Sequence, residues 1–267
     1  MIKRTVKWLM GLATADERVS LHKTLVFNLY AFGLKGLFKL PVIVHHRTRI
    51  YHVGKIVLNC GMKRGVLTIG RLSYKSQGIT KFANYGTIVI DNYVKLEGCT
   101  IVENNGTMVF KGFNQIGDGT ALIIRDRFEI GEQSNIGFHS FVTDSDDHYA
   151  VNVADRTVRR FSKPIKLGRY NWIGSHTYIK KGAVTPDFLF VASPNALLAK
   201  DYSQLEPFSV IGGAPARLIK AGGARRIYDV GEQAKLNKFF ADEASTVYTY
   251  PDDADLEEIC RKKTGDF

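Results

Sequence analysis

The most regular feature of this chain is a six-residue repeat in which an apolar residue precedes glycine. The repeat occurs twice before residue 143 and twice after residue 164, as Ile130-Gly131, Ile136-Gly137, Leu167-Gly168 and Ile173-Gly174. A Ser, Asn or Thr follows three residues after each glycine. This pattern is typical of stacked coils, in which one apolar side chain per short strand points inward and a small residue forms the corner. It predicts a parallel β solenoid.

The repeat is interrupted by a polar segment that contains a single histidine. Residues 143–164 break the six-residue period and include Asp144, Asp146, Asp147, His148 and Tyr149. Loops carried by a rigid scaffold often hold functional residues. We therefore interpret this segment as a candidate active-site loop, and the alternative is a solvated acidic turn with an exposed histidine.

The remaining patterns divide the chain into three parts. Short β-favouring runs separated by Gly, Asn and Asp begin near Ile50, and such runs are typical of a sandwich, a barrel or a solenoid. We predict a basic helical or irregular cap at residues 1–65, a β-helix at residues 66–220 and a C-terminal helical extension at residues 221–267. The extension is expected to form an amphipathic cover or a subunit contact.

The charge is concentrated in the predicted cap. The chain of 267 residues has a net charge of +11, and most of this excess lies in the cap, where Asp16 and Glu17 are the only acidic residues. Such a surface can meet anionic lipid, a polyphosphate carrier or nucleic acid. Residues 25–44 contain too many polar and Gly positions for a membrane span. An amphipathic cap packed on the main body is favoured, and peripheral membrane contact through residues 1–45 stays open.

Other sequence features bear on partners and compartment. No helix-turn-helix, zinc finger or RNP-type motif is visible, so no nucleic-acid partner is expected. The basic start is not followed by a signal-peptide core. The cysteines Cys60, Cys99 and Cys260 are far apart and odd in number, which favours a reducing compartment. We expect a cytoplasmic protein, located at the inner face of the membrane if the cap contacts lipid.

Three motifs together resemble a known family. They are the six-residue runs with the Asp144-x-Asp146-x-His148 loop, the segment Asn171-Trp172-Ile173-Gly174, and the Gly-Ala-Pro-Ala-Arg-Leu-Ile-Lys run at 213–220. They resemble left-handed β-helix acyltransferases, in particular those that O-acetylate bacterial surface polysaccharides. The resemblance implies a left-handed β-helix, a homotrimer of triangular prisms, and acetyl-CoA in the groove between subunits. The chain departs from the family in having Ala192 where glycine is usual, and residues 184–188 disturb one repeat.

The resemblance implies roles for residues around the loop. Transfer of an acetyl group to a hydroxyl needs a base of near-neutral pKa, and His148 is the candidate. Asp144 and Asp146 would accept a hydrogen bond from its other ring nitrogen. Trp172 would stack on a sugar ring, anchor a subunit interface, or do both, with Tyr149 and Asn171 as further acceptor contacts.

The coenzyme would use small and basic residues of the late coils. Gly174 and Ala192 would let the pantetheine arm approach the backbone. Four cations would meet the phosphates, although each could equally be a solvated surface residue: Lys180, Lys181, Arg217 and Lys220. In the loop, Arg159, Arg160 and Lys163 could instead meet an anionic acceptor.

Three other interpretations compete with O-acetylation. The γ-carbonic anhydrases carry zinc on a similar scaffold. Their pattern has three histidines, two of which are five residues apart. No two of His139, His148 and His176 have that spacing, so no metal is predicted. N-acetylation of an amino sugar or small amine stays open as a second enzymatic function. A non-catalytic β-helix module for assembly stays open as a different class.

Overall fold

The strands form three sheets. In the computed structural model, which describes residues 19–71 and 78–261, the first sheet contains, in spatial order, β1 (Val42–Val44), β4 (Leu67–Arg71), β7 (Val94–Glu97), β10 (Asn114–Ile116), β13 (Asn135–Ile136), β16 (Trp172–Ile173), β18 (Phe190–Val191), β20 (Val210–Gly212) and β21 (Arg217–Lys220). The second contains β2 (Thr48–His52), β5 (Thr80–Asn84), β8 (Ile101–Asn104), β11 (Ala121–Ile124), β14 (Phe141–Thr143), β17 (Tyr178–Lys180) and β19 (Leu197–Leu198). The third contains β3 (Lys55–Leu58), β6 (Thr87–Ile90), β9 (Thr107–Phe110), β12 (Arg127–Ile130) and β15 (Ile165–Leu167).

The chain visits the three sheets in turn. Through β17, each strand pairs in parallel with the strand three positions earlier, so one strand from each sheet makes one coil. Single bridges at Val184 and Asp201 continue the third side beyond β15. Only β21 pairs antiparallel among the described strands. The predicted left-handed parallel β-helix is confirmed.

Coils stack so that inward side chains form ladders. In the first sheet every ladder residue is no more than 2% exposed: Val44, Ile69, Leu96, Ile116, Ile136, Ile173, Val191 and Ile211. Leu96, Ile116 and Ile136 follow one another at regular intervals along the chain. Each apolar side chain therefore packs on its counterparts in the coils above and below, which gives a continuous core.

The repeat glycines stand where adjacent coils come closest. A Cβ on Gly131 would lie 2.4 Å from the carbonyl carbon of Gly168. A Cβ on Gly168 would lie 2.2 Å from the carbonyl oxygen of Pro186, and one on Gly137 would lie 2.5 Å from the amide nitrogen of Ser175. Any side chain at these corners would push the next coil away.

The β-helix begins earlier than the sequence suggests. The strands β1, β2 and β3 form a full first coil, which pairs in parallel with β4, β5 and β6. The boundary predicted at residue 66 is therefore wrong, and the solenoid starts at Val42. The first coil is hard to recognise in the sequence because its apolar-glycine pair, Val53-Gly54, is followed three positions later by Val57 and not by a small polar residue. The step from Val44 to its ladder partner Ile69 is also longer than the regular interval between Leu96, Ile116 and Ile136.

A helix closes this end of the solenoid. The helix α1 (Leu21–Lys39) lies along β1, the edge strand of the first sheet. The Thr24 hydroxyl accepts from the Val44 amide at 3.0 Å, and the Asn28 side chain accepts from the Val42 amide at 3.0 Å and donates to its carbonyl at 2.6 Å. These bonds satisfy a strand edge that could otherwise pair with another chain.

The predicted helical extension follows the last coil. It contains α2 (Val230–Phe239) and the short α3 (Leu256–Cys260), each capped at its start by an aspartate side chain. Within the described part of the chain, no helix is both long and apolar enough to cross a bilayer.

The corner packing makes a direct prediction. Gly168→Ala should lower the free energy of unfolding by about 1–3 kcal/mol, because the new methyl group overlaps the Pro186 carbonyl. Chemical denaturation monitored by circular dichroism would measure this loss. The control is Val247→Ala, whose side chain is 74% exposed and which should change stability by no more than about 0.5 kcal/mol. Equal stability of the two variants would show that the corner tolerates a side chain.

Candidate active site

The segment that interrupts the repeat leaves the coil as a two-armed excursion, which we define as residues 144–164. It departs after β14 and returns to β15, at the corner between the second and third sheets. Bridges between Ser145 and Ser162 and between Val151 and Val158 hold its two arms together. Ser145 and Ser162 are buried, whereas residues 146–160 are exposed. The excursion is thus a projection with an anchored base.

The first anchor is Asp144, which is fully buried. Its carboxylate accepts from the backbone amides of Arg125, Asp126 and Arg127 at 2.8, 2.7 and 2.7 Å. Burial raises the pKa of Asp144, and the three amides oppose that shift because they favour the charged form. Within the described ranges, no hydrogen bond joins this carboxylate to His148. The predicted role of Asp144 in orienting the histidine is therefore wrong, since its oxygens hold the preceding corner.

The second anchor is Arg125, which the sequence analysis missed. Its Nε donates to Asp147 at 2.8 Å, and its Nη1 pairs with Glu103 of the previous coil. The bond to Arg125 lowers the pKa of Asp147, which also accepts from the Ser145 hydroxyl at 2.8 Å. Asp147 directly precedes His148, so this chain of contacts fixes the backbone beside the candidate base. No sequence motif marks Arg125, because its two partners lie far from it in the sequence, one on either side.

Lys181 joins the two arms of the excursion. Its ammonium group forms an ion pair with Asp146 on the outgoing arm and donates to the Phe161 carbonyl on the returning arm at 3.3 Å. The sequence suggested Lys181 as a coenzyme phosphate ligand and Asp146 as a partner of His148. The structure pairs the two with each other instead, next to the histidine.

His148 lines an open cavity at the excursion. This cavity has a volume of about 420 Å³, and Asp146, Lys181, Arg159 and Arg160 also line it. Arg159 and Arg160 are both exposed, and the Arg160 side chain is held by Asp126 at 3.1 Å and by the Ser162 hydroxyl at 3.0 Å. The cavity therefore combines a histidine with several cationic groups and is open to solvent.

Two aromatic rings stand beside this cavity. Tyr149 lies edge-on against Phe161, with ring centroids 5.0 Å apart, and Tyr149 is 68% exposed. The expected contact of Tyr149 with an acceptor stays a prediction. Lys163 of the returning arm lies instead against Gly182 of the next coil.

Trp172 lies in a second cavity, on the first sheet. This cavity has a volume of about 350 Å³ and is also lined by Glu97, Gln115, Phe138 and Arg226. The Trp172 ring meets Phe190 edge-on at 4.6 Å, and the Arg226 guanidinium lies 5.1 Å from its ring centre. Burial raises the pKa of Glu97. The cavity shares no lining residue with that of His148.

The segment between β21 and α2 completes the tryptophan cavity. Arg225 lies over the rings of Tyr170 and Phe188 at 5.0 and 4.9 Å. The Tyr228 hydroxyl accepts from the Asn135 side chain, and burial raises the pKa of Tyr228. The C-terminal extension therefore contributes Arg226 to a candidate binding site, which the sequence analysis did not anticipate because no motif marks that residue.

Two other predicted contacts have structural roles. Asn171 is fully buried; its amide donates to the carbonyls of Arg169 and Pro186, and its oxygen accepts from Thr185 at 2.6 Å. It holds a corner and does not face an acceptor. A Cβ on Gly174 would lie 2.6 Å from the Ser193 Cβ, so the space at Gly174 is filled by the next coil.

The remaining predicted coenzyme residues lie on the late coils. Ala192 follows β18 and is half-buried. Lys180 ends β17 in the second sheet, while Arg217 and Lys220 are exposed at the two ends of β21 in the first sheet. Arg217 and Lys220 are thus exposed near the end of the solenoid, and Lys180 is half-buried.

The histidines weighed as zinc ligands lie in two places. His139 and His176 stack at one corner with ring centroids 5.4 Å apart, and Phe138 meets both rings edge-on. His148 lies on the excursion. Across residues 19–71 and 78–261, no group of three His, Cys, Asp or Glu side chains is placed to hold a metal ion.

Comparison with solved structures shows the fold. The polySia-specific acetyltransferase NeuO matches with a TM-score of 0.51 at 16% identity, over 78% of this chain and 84% of NeuO. The chain has the fold of a hexapeptide-repeat acyltransferase. The polysialic acid O-acetyltransferase OatWY matches with a TM-score of 0.45 at 17% identity, over 73% of this chain and 96% of that one. AntD, an N-acyltransferase from Bacillus cereus, matches with a TM-score of 0.41 at 17% identity, over 77% and 89%.

No protein-family model matches the sequence, and no curated protein matches it.

Because Asp144 is buried and His148 is exposed, substitutions at these two residues should differ in their effect on stability. Asp144→Ala leaves three partly buried backbone amides without their acceptor and should lower the free energy of unfolding by about 2–3 kcal/mol. His148→Ala removes an exposed ring and should change it by no more than about 0.5 kcal/mol. Thermal unfolding of both variants would measure the contrast. If the two melting temperatures fell by the same amount, the assignment of Asp144 as the anchor would be wrong.

Proposed function

We propose that this protein is an acetyltransferase that moves the acetyl group of acetyl-CoA to a hydroxyl group of a saccharide, with His148 as general base. The observation that carries the proposal is the position of His148. It is solvent-accessible, lies in a cavity, and stands on an excursion fixed to a rigid β-helix by Asp144, Arg125 and Lys181. Precise positioning of a base against a hydroxyl is what this chemistry requires.

The reaction proceeds by direct transfer. His148 takes the proton of the acceptor hydroxyl as its oxygen attacks the thioester carbonyl. The carbon–sulfur bond of the resulting tetrahedral intermediate then breaks, and the coenzyme thiolate receives the proton from the imidazolium. The acceptor becomes an ester, and no covalent enzyme intermediate is formed. Arg125 and Lys181 act as positioning residues, since each holds a segment next to His148.

The cations around His148 favour an acidic saccharide as acceptor. Arg159, Arg160 and Lys181 line the same cavity; Asp146 pairs with Lys181 and Asp126 with Arg160, so Arg159 supplies the surplus positive charge. A carboxylate on the acceptor would be attracted to this surplus of positive charge. NeuO, whose fold this chain shares, is a polySia-specific acetyltransferase. We expect the acceptor to be a polysaccharide of the bacterial surface or a precursor of one.

A complete site requires a second copy of the chain. His148 projects from the corner between the second and third sheets, whereas Trp172 lies on the first sheet in a separate cavity. Both can contact one acceptor if neighbouring protomers of a homotrimer bring these two surfaces together. Acetyl-CoA would then lie in the groove between protomers, with Ala192 beside the pantetheine arm and Lys180, Arg217 and Lys220 near the phosphates.

The first experiment identifies the bond that is formed. Full-length protein is incubated with acetyl-CoA and matched neutral, acidic and amino saccharides, and release of free thiol is followed. We expect acceptor-dependent release with an acidic saccharide and a product that mild hydroxylamine cleaves, because it is an ester. Release only with amines, giving a hydroxylamine-resistant amide, would replace this proposal with N-acetylation. Absence of release with every acceptor would favour a non-catalytic module.

The shared site predicts complementation between two inactive variants. His148→Ala and Trp172→Ala should each lose activity, while the two chains co-expressed in equal amounts should recover about a quarter of the wild-type rate, because a random trimer pairs an intact histidine with an intact tryptophan at a quarter of its sites.

A control mixture of two variants with defects in the same excursion shows whether recovery requires defects on different surfaces of the protomer. Co-expression of His148→Ala with Arg125→Ala, which affect the same excursion, should recover much less if each excursion serves one site. Recovery in neither mixture would mean that His148 and Trp172 act within one protomer or in different processes.

A further inference from the structure

The cap helix α1 exposes apolar side chains along one side. Val26, Leu29 and Tyr30 are 53, 46 and 70% exposed, and after a kink at Gly33 the stripe continues with Leu34 at 70% and Phe38 at 86%. We call these five residues the α1 stripe. Val26, Leu29 and Tyr30 are spaced as neighbours on one helical face. An exposed run of this kind on a helix of 19 residues is unusual for a surface that faces only water.

The orientation of α1 is fixed by polar contacts. Its buried side carries Thr24 and Asn28, which bond to the backbone of the edge strand β1, together with Phe27 packed edge-on against Phe82. An ordinary surface helix turns its apolar residues inward and its polar residues outward. In α1, by contrast, Thr24 and Asn28 face inward because they form hydrogen bonds with the backbone of β1. The α1 stripe therefore faces outward.

Within residues 19–71, which include the stripe, every Asp, Glu, Lys or Arg position is a Lys or an Arg. No Asp or Glu occurs between Glu17 and Asp91 in the sequence, whereas Lys and Arg are frequent there. Lys35 and Lys39 are exposed and follow Leu34 and Phe38 directly, and Arg49 is exposed on the neighbouring strand β2. The cap end of the solenoid is therefore an apolar stripe set in a cationic field.

A groove extends this surface. Between α1 and β2 lies a cavity of about 450 Å³, lined largely by apolar groups including Val26, Tyr30 and Tyr51, with Lys23 and Arg49 also in its lining. Tyr51 is 57% exposed. Each side of the groove therefore combines apolar side chains with one cation, Lys23 on α1 and Arg49 on β2.

We propose that the α1 stripe and its surrounding cations dock this protein on the surface of an anionic lipid bilayer. Helices that lie in the membrane interface have this combination of an exposed apolar face with Lys and Arg beside it. Two copies of the chain joined through this end would bring like charges together. A nucleic acid or a soluble polyanion would use the cations and leave the apolar stripe in water. The bilayer surface alone uses both features, and docking there would hold the enzyme proposed above near membrane-bound acceptors.

The test measures binding of the full-length protein to vesicles by co-sedimentation. We expect binding to mixed phosphatidylcholine–phosphatidylglycerol vesicles, little binding to phosphatidylcholine alone, and weakening at high salt. A Leu34→Ser and Phe38→Ser double variant should bind at least about tenfold more weakly, because it loses apolar area that enters the interface. The double variant Lys35→Glu and Lys39→Glu should also weaken binding to anionic vesicles.

Matched controls separate this surface from general effects. Val247→Ser removes a side chain that is 74% exposed outside the cap, and Lys166→Glu reverses an exposed charge on β15. Both should bind as the wild type does. Thiol release without vesicles should be unchanged in the stripe variant, so failure of docking and failure of the catalytic proposal can be told apart.

Three results would overturn the docking proposal. Absence of binding to anionic vesicles would exclude it directly. If the stripe variant bound anionic vesicles as tightly as the wild type, and dextran sulfate displaced both proteins from the vesicles, the surface would recognise charge alone. A wild-type protein that fails to bind vesicles but self-associates, with association abolished by Phe38→Ser, would assign the stripe to contact between copies.

Discussion

The register between successive coils is the constraint on which the rest of this structure depends. One inward apolar residue must lie above another at every level, as Ile116, Ile136 and Ile173 do in the first sheet. Glycine is required at corners such as Gly131 and Gly168, because the next coil leaves no room for a side chain. A scaffold held this tightly has little freedom to bend, so residues that leave it can be positioned accurately by a few contacts at their base.

The excursion uses this rigidity. The ladder passes from Ile136 to Ile173 without a shift in register, even though this step includes the whole excursion and is much longer than the step from Ile116 to Ile136. The additional chain is directed outward by the buried carboxylate of Asp144 and by the Arg125 bridge. His148 consequently stands outside the core but close to a fixed frame, which is the arrangement that a general base needs.

The sequence predicts those features whose cause is local. The ladder and corner residues follow from a short repeat, and the position of the excursion follows from its interruption. The start of the solenoid cannot be found in this way, because its glycine corner at Val53-Gly54 lacks the small polar residue of the repeat and Val44 is distant in sequence from its partner. Asp144 and Asn171 resemble functional residues in the sequence. A motif does not show whether a polar side chain binds a ligand or forms hydrogen bonds with backbone groups, as these two do. Arg125 and Arg226 could not be found, since only the stacking of coils and the return of the C-terminal segment give them partners.

The central claim is that His148 performs the chemistry and that the excursion exists to hold it. The most direct test compares acceptor-dependent thiol release from acetyl-CoA by the wild type and by His148→Ala, using an acceptor that the wild type accepts. We expect a loss in turnover of about 10²–10⁴-fold with the melting temperature unchanged. A variant that turns over at the wild-type rate would contradict the claim.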